Sequence, residues 1–256
     1  IIGRPNAGKS TLLNALVGEK LAIISPKPQT TRNRIQGIIH VPRRKGKVGG
    51  QIILIDTPGV HRPESSLGRK MMIEVQEGLE ACDLILLIQD ATHKPGPGDQ
   101  AVLDLLRKSS TPVFLLLNKI DRLADKQKLL PVIAEFSAWY DFRQVLPISA
   151  LKRTGLDLLL DTVLRALPQG PRYFPEDQVT DQPVRFMVSE TIREQVLLDT
   201  KEEVPHATTV MIEQFEESEK LVRIAAVIFC ERAGQKAILV GKAGQMLKKI
   251  GTAARL

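Results

Sequence analysis

Gly3-Arg4-Pro5-Asn6-Ala7-Gly8-Lys9-Ser10, close to the start of the chain, has the spacing G-x-x-x-x-G-K-S of a phosphate-binding loop, or P-loop. Phosphates held in such a loop need backbone N–H donors, and Gly3 and Gly8 leave room for them. Lys9 can reach the β- and γ-phosphates of a nucleotide, and the Ser10 hydroxyl can ligate Mg²⁺. The stretch therefore predicts a site for a nucleoside triphosphate and a magnesium ion.

The next segment, Thr11-Leu12-Leu13-Asn14-Ala15-Leu16-Val17, has the composition of a helix. The N-terminus of such a helix carries a partial positive charge that favours bound phosphate. A helix that starts at the loop thus agrees with the phosphate-binding prediction.

Three short apolar runs, each ending in a polar residue, predict strands buried on both faces of a parallel sheet. They cover residues 51–56, 84–89 and 113–118. Such sheets bind ligands beyond the carboxyl ends of their strands, where Asp56 and Asn118 lie. Residues 34–41 and 48–56 additionally predict a hairpin around the basic turn Arg43-Arg44-Lys45-Gly46-Lys47.

Two loops, one before and one after the predicted hairpin, carry residues suited to the metal ion and the γ-phosphate. In Asp56-Thr57-Pro58-Gly59, the aspartate can support Mg²⁺ and the N–H of Gly59 can contact the γ-phosphate. In Pro28-Gln29-Thr30-Thr31-Arg32, a threonine can close on Mg²⁺ when a triphosphate is bound, and Thr31 is preferred over Thr30.

Asn118-Lys119-Ile120-Asp121 has the pattern N-K-x-D and indicates which base is bound. The carboxylate of Asp121 can accept hydrogen bonds from N1–H and the N2 amine of guanine, whereas adenine offers no such donor pair. Ser149-Ala150-Leu151 follows a further short strand and can place a backbone N–H on guanine O6. These residues therefore favour GTP over ATP.

In their order along the chain, these nucleotide-binding motifs resemble those of the translation-factor class of GTPases. Val60 stands where Ras-like proteins place a water-orienting glutamine. With an apolar residue at this position, and with its P-loop and the T-T-R of residues 30–32, the chain resembles the bacterial group that contains Era, MnmE and EngA. In that group the asparagine matching Asn6 can ligate K⁺, which supplies charge where other GTPases use an arginine finger. The resemblance implies the same role for Asn6 as a hypothesis.

The second half of the chain changes its pattern. Residues 184–200 predict a helix, and residues 208–214 and 221–230 predict two strands with a charged turn at 216–220. The Pro-rich run at residues 168–175 precedes this region and predicts a domain junction.

The last part of the chain combines a G-x-x-G loop with positive charge. Residues 236–255 carry no acidic residue, and by charge alone a solvated helix face explains such a run about as well as a phosphate-backbone footprint. The G-K-A-G at 241–244 by itself is more often an ordinary turn between helices. Two predicted strands before it and basic residues around it favour a loop that clamps single-stranded RNA. The basic residues are Lys236, Lys242, Lys248, Lys249 and Arg255.

The second half resembles the Era family in Phe186-x-x-Ser189-Glu190-x-Ile192-Arg193-Glu194, in Glu203-Val204-Pro205-His206, and in Gln235-Lys236-Ala237-Ile238 before the G-x-x-G. The resemblance covers nearly all of the chain. It implies an α/β P-loop GTPase domain, with a mostly parallel sheet and helices on both faces, at residues 1–170. An α+β type II KH domain is expected at residues 171–256. The family usually has G-K-G-G where this chain has Ala243, and it continues past residue 256 with the rest of a helix and a last strand. The KH domain is therefore expected to be C-terminally incomplete.

The resemblance also implies the roles of individual residues in hydrolysis of GTP to GDP and phosphate. The groups implied in catalysis are Asn6, Lys9, Thr31 and Gly59, and those implied in holding Mg²⁺ are Ser10, Thr31 and Asp56. The residues implied in GTP or GDP binding are Gly3, Asn6, Ala7, Gly8, Lys9, Ser10, Thr11, Asp56, Asn118, Lys119, Asp121, Ser149, Ala150 and Leu151. The residues implied in RNA binding are Lys236, Gly241, Lys242, Ala243, Gly244, Lys248 and Lys249.

The implied partner is the small ribosomal subunit, bound through single-stranded RNA near the 3′ end of its ribosomal RNA during assembly or maturation. No stable oligomer is expected, and a peripheral membrane contact is an open alternative. The expected location is the bacterial cytoplasm, or an organelle stroma or matrix if a transit peptide has been removed, since the chain begins with Ile1. No run of eighteen apolar residues exists, and Cys82 and Cys230 are expected to be reduced core residues.

Two other functions fit parts of the sequence. One is a GTP-gated RNA-binding switch that hydrolyses too slowly for turnover to matter except as a reset. The other is a tRNA-modification or membrane-linked GTPase, in which the G-x-x-G region is only a structural turn. RNA-stimulated turnover would argue against the first, and loss of RNA binding on substitution of Gly241 would argue against the second.

Overall fold

The computed structural model describes residues 1–25, 27, 30–43, 48–60 and 65–255. It divides into an N-terminal unit of Ile1–Ala22 with Pro28–Asp181 and a C-terminal unit of Ile23–Lys27 with Gln182–Leu256. The N-terminal unit contains α1 (Lys9–Val17), β1 (Ile35–Val41), β2 (Gly50–Asp56), α2 (Ser66–Glu80), β3 (Ile85–Asp90), α3 (Pro97–Leu106), β4 (Val113–Asn118), α4 (Leu129–Trp139), β5 (Gln144–Pro147) and α5 (Leu156–Ala166). The C-terminal unit contains α6 (Val184–Asp199), β6 (Thr208–Glu217), β7 (Val222–Cys230), α7 (Ala233–Val240) and α8 (Gln245–Ala253).

A parallel sheet forms the middle of the N-terminal unit, as the apolar runs at 84–89 and 113–118 predict. The prediction was wrong for the run at 51–56, which forms β2, pairs antiparallel with β1 and is buried only at alternate residues. β4 pairs with β3 on one side and with β5 on the other, both in parallel. Ile2 extends this arrangement by a parallel bridge to Leu87 of β3. The P-loop that follows Ile2 therefore starts beside β3, at the sheet edge where Asn118 ends β4.

Both faces of the sheet are buried. On one face, Leu87 and Leu115 belong to a core cluster with residues of α2, α3 and α4, among them Val75, Leu103 and Phe136. On the other face, Phe114 is 1 % exposed although it lies outside that cluster, because alternate residues of a strand point to opposite faces. The predicted α/β fold class is confirmed, and burying both faces accounts for the uninterrupted apolar runs.

β1 and β2 form the predicted antiparallel hairpin, with Ile35 opposite Asp56 and Val41 opposite Gly50. Of the predicted basic turn, residues 44–47 lie outside the described residues. A Cβ on Gly37 of β1 would lie 2.6 Å from Leu13 Cδ1, so this glycine lets α1 pack closely against the hairpin. The hairpin thereby delivers Asp56 to the region of the P-loop.

The Pro-rich segment was expected to begin the second domain at residue 171, but residues 171–181 belong to the N-terminal unit. The side chain of Gln51 accepts hydrogen bonds from the N–H groups of Tyr173 and Phe174, and it donates to Phe174 O at 2.8 Å. Further along, Ile38 N donates to Val179 O at 2.8 Å. The hairpin therefore holds this segment by hydrogen bonds from the Gln51 side chain and from its own backbone.

The C-terminal unit has the element order α-β-β-α-α, which is that of a type II KH fold up to its third helix. β6 and β7 are antiparallel, and a small core of Val196, Val204, Leu239 and Ile250 lies between sheet and helices. The predicted turn at 216–220 is shorter in the structure, because β6 continues to Glu217, which lies opposite Val222 of β7.

A membrane-spanning helix was not expected from the sequence. Within the described ranges, every helix is too short or too polar to cross a bilayer.

Candidate functional site

The P-loop runs from Gly3 into α1, which begins at Lys9. Two of its residues have left-handed backbone conformations, Asn6 at φ 61° and Gly8 at φ 104°. A Cβ on Gly8 would lie 2.2 Å from the side-chain nitrogen of Asn118, so only glycine fits there. The N-cap residue of α1, Gly8, has no side chain that could cap the helix, which leaves its first backbone N–H groups available to a phosphate.

Lys9 is buried at the centre of this loop and is only 5 % exposed. Its ammonium donates to Arg4 O at 3.0 Å and to Gly3 O at 3.4 Å. Burial lowers the pKa of Lys9, and the nearby carboxylate of Asp56 opposes this shift. A buried cation held by the backbone carbonyls of the loop, next to the N-terminus of α1, is suited to binding phosphate oxygens.

Three predicted metal ligands converge beside the loop. Ser10 Oγ donates to Asp56 Oδ2 at 2.7 Å, and it lies 2.9 Å from Thr31 Oγ1. Thr31 is 7 % exposed, and Asp56 is fully buried. Thr30 was the alternative to Thr31, and it is Thr31 whose hydroxyl reaches Ser10.

The chemistry of this group fits Mg²⁺. The second carboxylate oxygen of Asp56 is buried and has no hydrogen-bond partner among the described residues. Burial raises the pKa of Asp56, although Lys9 and the hydroxyls of Ser10 and Thr31 oppose the shift. A clustered carboxylate and two hydroxyls, with one oxygen unsatisfied, form the oxygen-only ligand set that Mg²⁺ prefers.

The loop after β2 contacts the P-loop directly. Val60 N donates to Gly3 O at 3.0 Å, and a Cβ on Gly59 would lie 2.9 Å from the backbone nitrogen of Pro5. Val60 itself is a buried apolar residue at 8 % exposure. Residues 61–64, which follow this loop, lie outside the described residues, and α2 begins at Ser66.

Asn118 holds the P-loop and the Ser149-Ala150-Leu151 turn together. Its side-chain nitrogen donates to Ala7 O at 2.9 Å, and its side-chain oxygen accepts from Ala150 N at 2.9 Å. Ser149 Oγ donates to Asp121 Oδ1 at 2.5 Å, while Asp121 remains exposed to solvent. The arrangement orients an accessible carboxylate beside a fixed turn, as recognition of guanine requires.

Lys119 lies between the P-loop and β3. Its ammonium donates to Asn6 O at 2.7 Å and to Asp90 Oδ2 at 2.6 Å. Asp90 was not among the predicted site residues, because the apolar run of β3 was ended at Gln89. The sequence did contain a signal for Asp90, because this residue ends β3 as Asn118 ends β4. Thr11, also predicted to contact nucleotide, lies partly exposed in the first turn of α1.

The G-x-x-G loop joins α7 to α8 in the C-terminal unit, as predicted. Gly241 and Gly244 have φ 68° and 77°, and Ala243 has φ 50° and ψ 34°. A Cβ on Gly241 would lie 2.8 Å from Met246 Cβ, so this glycine is needed for the packing of α8. Substitution of Gly241 therefore disturbs the fold as well as any RNA contact.

Basic residues surround this loop on the surface. Lys236, Lys242 and Lys248 are exposed, and Lys249 pairs with Asp199 at 2.6 Å while its side chain remains 64 % exposed. A surface pocket along α8 is lined by Gln245, Lys248, Lys249, Thr252 and Ala253. The structure thus places the predicted RNA-binding lysines along the G-x-x-G loop and the two helices that flank it.

Comparison with known proteins agrees with both units. Residues 1–119 match the family described as 50S ribosome-binding GTPase, and residues 203–256 match the KH domain family. GTPase Era from Geobacter metallireducens is 50 % identical, with all of this chain and 84 % of the relative covered. GTPase Era from Ruminiclostridium cellulolyticum is 48 % identical with the same coverage.

Two solved structures are similar over 99 % of this chain and 85 % of their own, each at 39 % identity. One is Era in complex with MgGDPNP and nucleotides 1506–1542 of 16S ribosomal RNA, with a TM-score of 0.94. The other is an Aquifex aeolicus Era variant bound to GDP·AlF4⁻, with a TM-score of 0.93. With the P-loop, the N-K-x-D turn and the G-x-x-G loop all in place, this chain belongs to the Era family of GTPases.

Proposed function

We propose that this GTPase binds single-stranded RNA at the 3′ end of small-subunit ribosomal RNA and acts in the assembly or maturation of that subunit. The observation that carries the proposal is similarity over almost the whole chain to an Era solved with 16S ribosomal RNA nucleotides. A G-x-x-G loop flanked by exposed lysines supports it, since glycines allow close approach of a nucleic-acid backbone. The bacterial cytoplasm is the location that fits this role.

For the nucleotide, we propose that the P-loop amides and Lys9 hold the phosphates. Asp121 selects guanine, with its carboxylate oriented by Ser149, and Asn118 fixes the turn that carries Ala150. Gly59 is proposed to contact the γ-phosphate, since the loop that carries it already touches the P-loop through Val60 and Gly3. No side-chain base is needed, because positioning and charge compensation carry phosphoryl transfer.

Ser10, Thr31 and Asp56 are the residues proposed to hold Mg²⁺. When bound, the ion neutralises charge on the β- and γ-phosphates. The chain's own contribution is to keep two hydroxyls and a buried carboxylate together. The Ser10 to Asp56 and Ser10 to Thr31 contacts already do so.

A potassium ion at Asn6 is proposed as the source of the additional positive charge. Asn6 is exposed in the P-loop, and its carbonyl is occupied by Lys119, so the side-chain amide is the group assigned to K⁺. Val60, an apolar residue, stands where a water-orienting glutamine is found in other GTPases. Positive charge supplied by a bound K⁺ is consistent with an apolar residue at position 60 in place of that glutamine.

The experiment that tests the proposed function is binding of a fluorescent RNA matching the small-subunit 3′ end. Anisotropy is measured with GDP and with a non-hydrolysable GTP analogue, over a salt series and against a scrambled RNA. Selective binding that is tighter with the GTP analogue supports a ribosome-assembly switch. Binding indifferent to RNA sequence and to nucleotide contradicts it.

A matched pair of variants separates the proposed surface from general basic charge. Lys242→Ala with Lys248→Ala removes two exposed lysines at the G-x-x-G loop, and Lys126→Ala with Lys128→Ala removes two exposed lysines of the N-terminal unit. We expect the first pair to reduce the slope of log K against log salt by about two. The second pair is expected to leave RNA affinity unchanged.

A further inference from the structure

Asp90, the last residue of β3, faces Asn118 of β4 in the parallel register. Its carboxylate is contacted on both oxygens. Oδ2 accepts from Lys119 Nζ at 2.6 Å and lies 3.4 Å from the ring nitrogen of His93, while Oδ1 accepts from Thr92 N at 3.0 Å and Thr92 Oγ1 at 2.7 Å. The turn after β3 therefore fixes this carboxylate in one orientation.

Lys119 has an unusual backbone conformation, and its ammonium group contacts the P-loop. Its backbone has φ 65°, an unusual conformation for a residue with a Cβ, and its ammonium is 2.7 Å from the carbonyl of Asn6. Asn6 is itself left-handed, at φ 61°. One ammonium thus joins the two left-handed residues at the centres of the guanine-recognition turn and of the P-loop.

We propose that Asp90 is a positioning residue for guanine-nucleotide binding. It fixes the Lys119 ammonium, and through it the Asn6 carbonyl, so that the base-binding turn and the phosphate-binding loop are held in register. The inference rests on the nucleotide site proposed above and adds to it a residue that contacts no nucleotide itself.

Electrostatics agree with this geometry. The side chains of Asp90 and Lys119 are only 16 % and 21 % exposed, so the pair is better shielded than most surface pairs of the chain. Burial alone would raise the pKa of Asp90, but hydrogen bonds from Lys119 and Thr92 outweigh it and lower the pKa below its usual value. The ionised carboxylate is therefore the form that the surrounding donors favour.

The test is GDP affinity by isothermal titration, with wild type measured first. Weak or absent GDP binding by wild type would contradict the nucleotide site itself, before Asp90 is considered. For Asp90→Asn we expect about a tenfold increase in the GDP dissociation constant, since a charge-assisted hydrogen bond is lost. Asp104→Asn is the matched control, because Asp104 forms an exposed ion pair with Arg107 at the C-terminal end of α3. We expect no change there.

A double-mutant cycle separates positioning from general stability. If Asp90 acts through Lys119, Asp90→Asn adds no further loss in a Lys119→Met background. An equal loss in both backgrounds would overturn the proposal, as would wild-type GDP affinity in Asp90→Asn. If Asp90→Asn does not fold, Thr92→Val decides, since it removes one donor to Asp90 from an exposed position. At least a twofold increase in the dissociation constant supports the proposal, and an unchanged value overturns it.

Discussion

Arg34 and Glu74 form an ion pair with 2.7 Å between Arg34 Nε and Glu74 Oε2, and the same guanidinium reaches Glu77 at 2.9 Å. Arg34 is the last residue of the loop that carries Thr31, directly before β1. Both glutamates lie on α2, which follows the loop that carries Gly59. The pair therefore connects the segment that carries Thr31, proposed to hold Mg²⁺, to the segment that carries Gly59, proposed to contact the γ-phosphate.

We predict that Arg34→Met weakens binding of a non-hydrolysable GTP analogue several-fold and leaves GDP affinity unchanged. Only the triphosphate uses both segments, so only its binding benefits from their connection. Because these side chains are about one-third exposed or more, the loss of unfolding free energy is expected to stay below about 1 kcal/mol. Calorimetric titration with both nucleotides checks the prediction. Arg165→Met, which removes an exposed pair with Asp161, is the control. Equal weakening of both nucleotides would contradict the prediction.

The buried carboxylate of Asp56 is expected to lower the stability of the nucleotide-free protein although it is needed for GTP hydrolysis. Its pKa is raised mainly by burial, so the folded protein binds a proton more tightly than the unfolded chain does. Ionisation of Asp56 therefore opposes folding above the unfolded pKa of about 3.9. We predict that Asp56→Asn raises the unfolding free energy of the nucleotide-free protein at neutral pH by roughly 1 kcal/mol, while GTP hydrolysis is lost.

The pH dependence of that gain is the check. The difference between Asp56→Asn and wild type is expected to shrink as the pH falls through the raised pKa of Asp56, because wild-type Asp56 then becomes neutral too. Denaturant unfolding between pH 4 and pH 8 measures it. A gain that does not change with pH, or a loss of stability at neutral pH, would contradict the role of burial.

The nucleotide motifs could be predicted from the sequence because they place characteristic residues at fixed spacing next to the ends of predicted strands. Asp90 belongs to no motif, and although its place at the end of an apolar run is visible in the sequence, its pairing with Lys119 depends on the register that sets β3 beside β4. The segment after residue 170 shows the same limit. Its prolines predict a junction, but the side chain of Gln51, more than a hundred residues earlier, holds it to the hairpin. Long-range partners of this kind leave no local signal in the chain.

The proposed potassium site gives a third prediction, best made with Asn6→Gly. Asn6 has φ 61°, so alanine at this position would add backbone strain, whereas glycine keeps the conformation and removes only the side-chain amide. We expect Asn6→Gly to bind GDP within about twofold of wild type and to lose the stimulation of GTP hydrolysis by K⁺ over Na⁺. Steady-state phosphate release in each salt measures it. A full response to K⁺ in this variant would exclude Asn6 as a ligand.

Ala243 gives the last prediction, because it has a left-handed backbone at φ 50° and ψ 34° where the Era family usually has glycine. A left-handed alanine costs about 1–2 kcal/mol relative to glycine, and the greater freedom of glycine in the unfolded chain offsets about half of that. We therefore expect Ala243→Gly to stabilise the C-terminal unit by about 0.5–1 kcal/mol. Ala237→Gly is the control, since Ala237 is exposed within helix α7, and there the same change should destabilise by a similar amount. Hydrogen exchange of the α7 and α8 amides reports on this unit alone. Opposite signs for the two variants support a strained G-x-x-G loop, and destabilisation by both would show that Ala243 carries no strain.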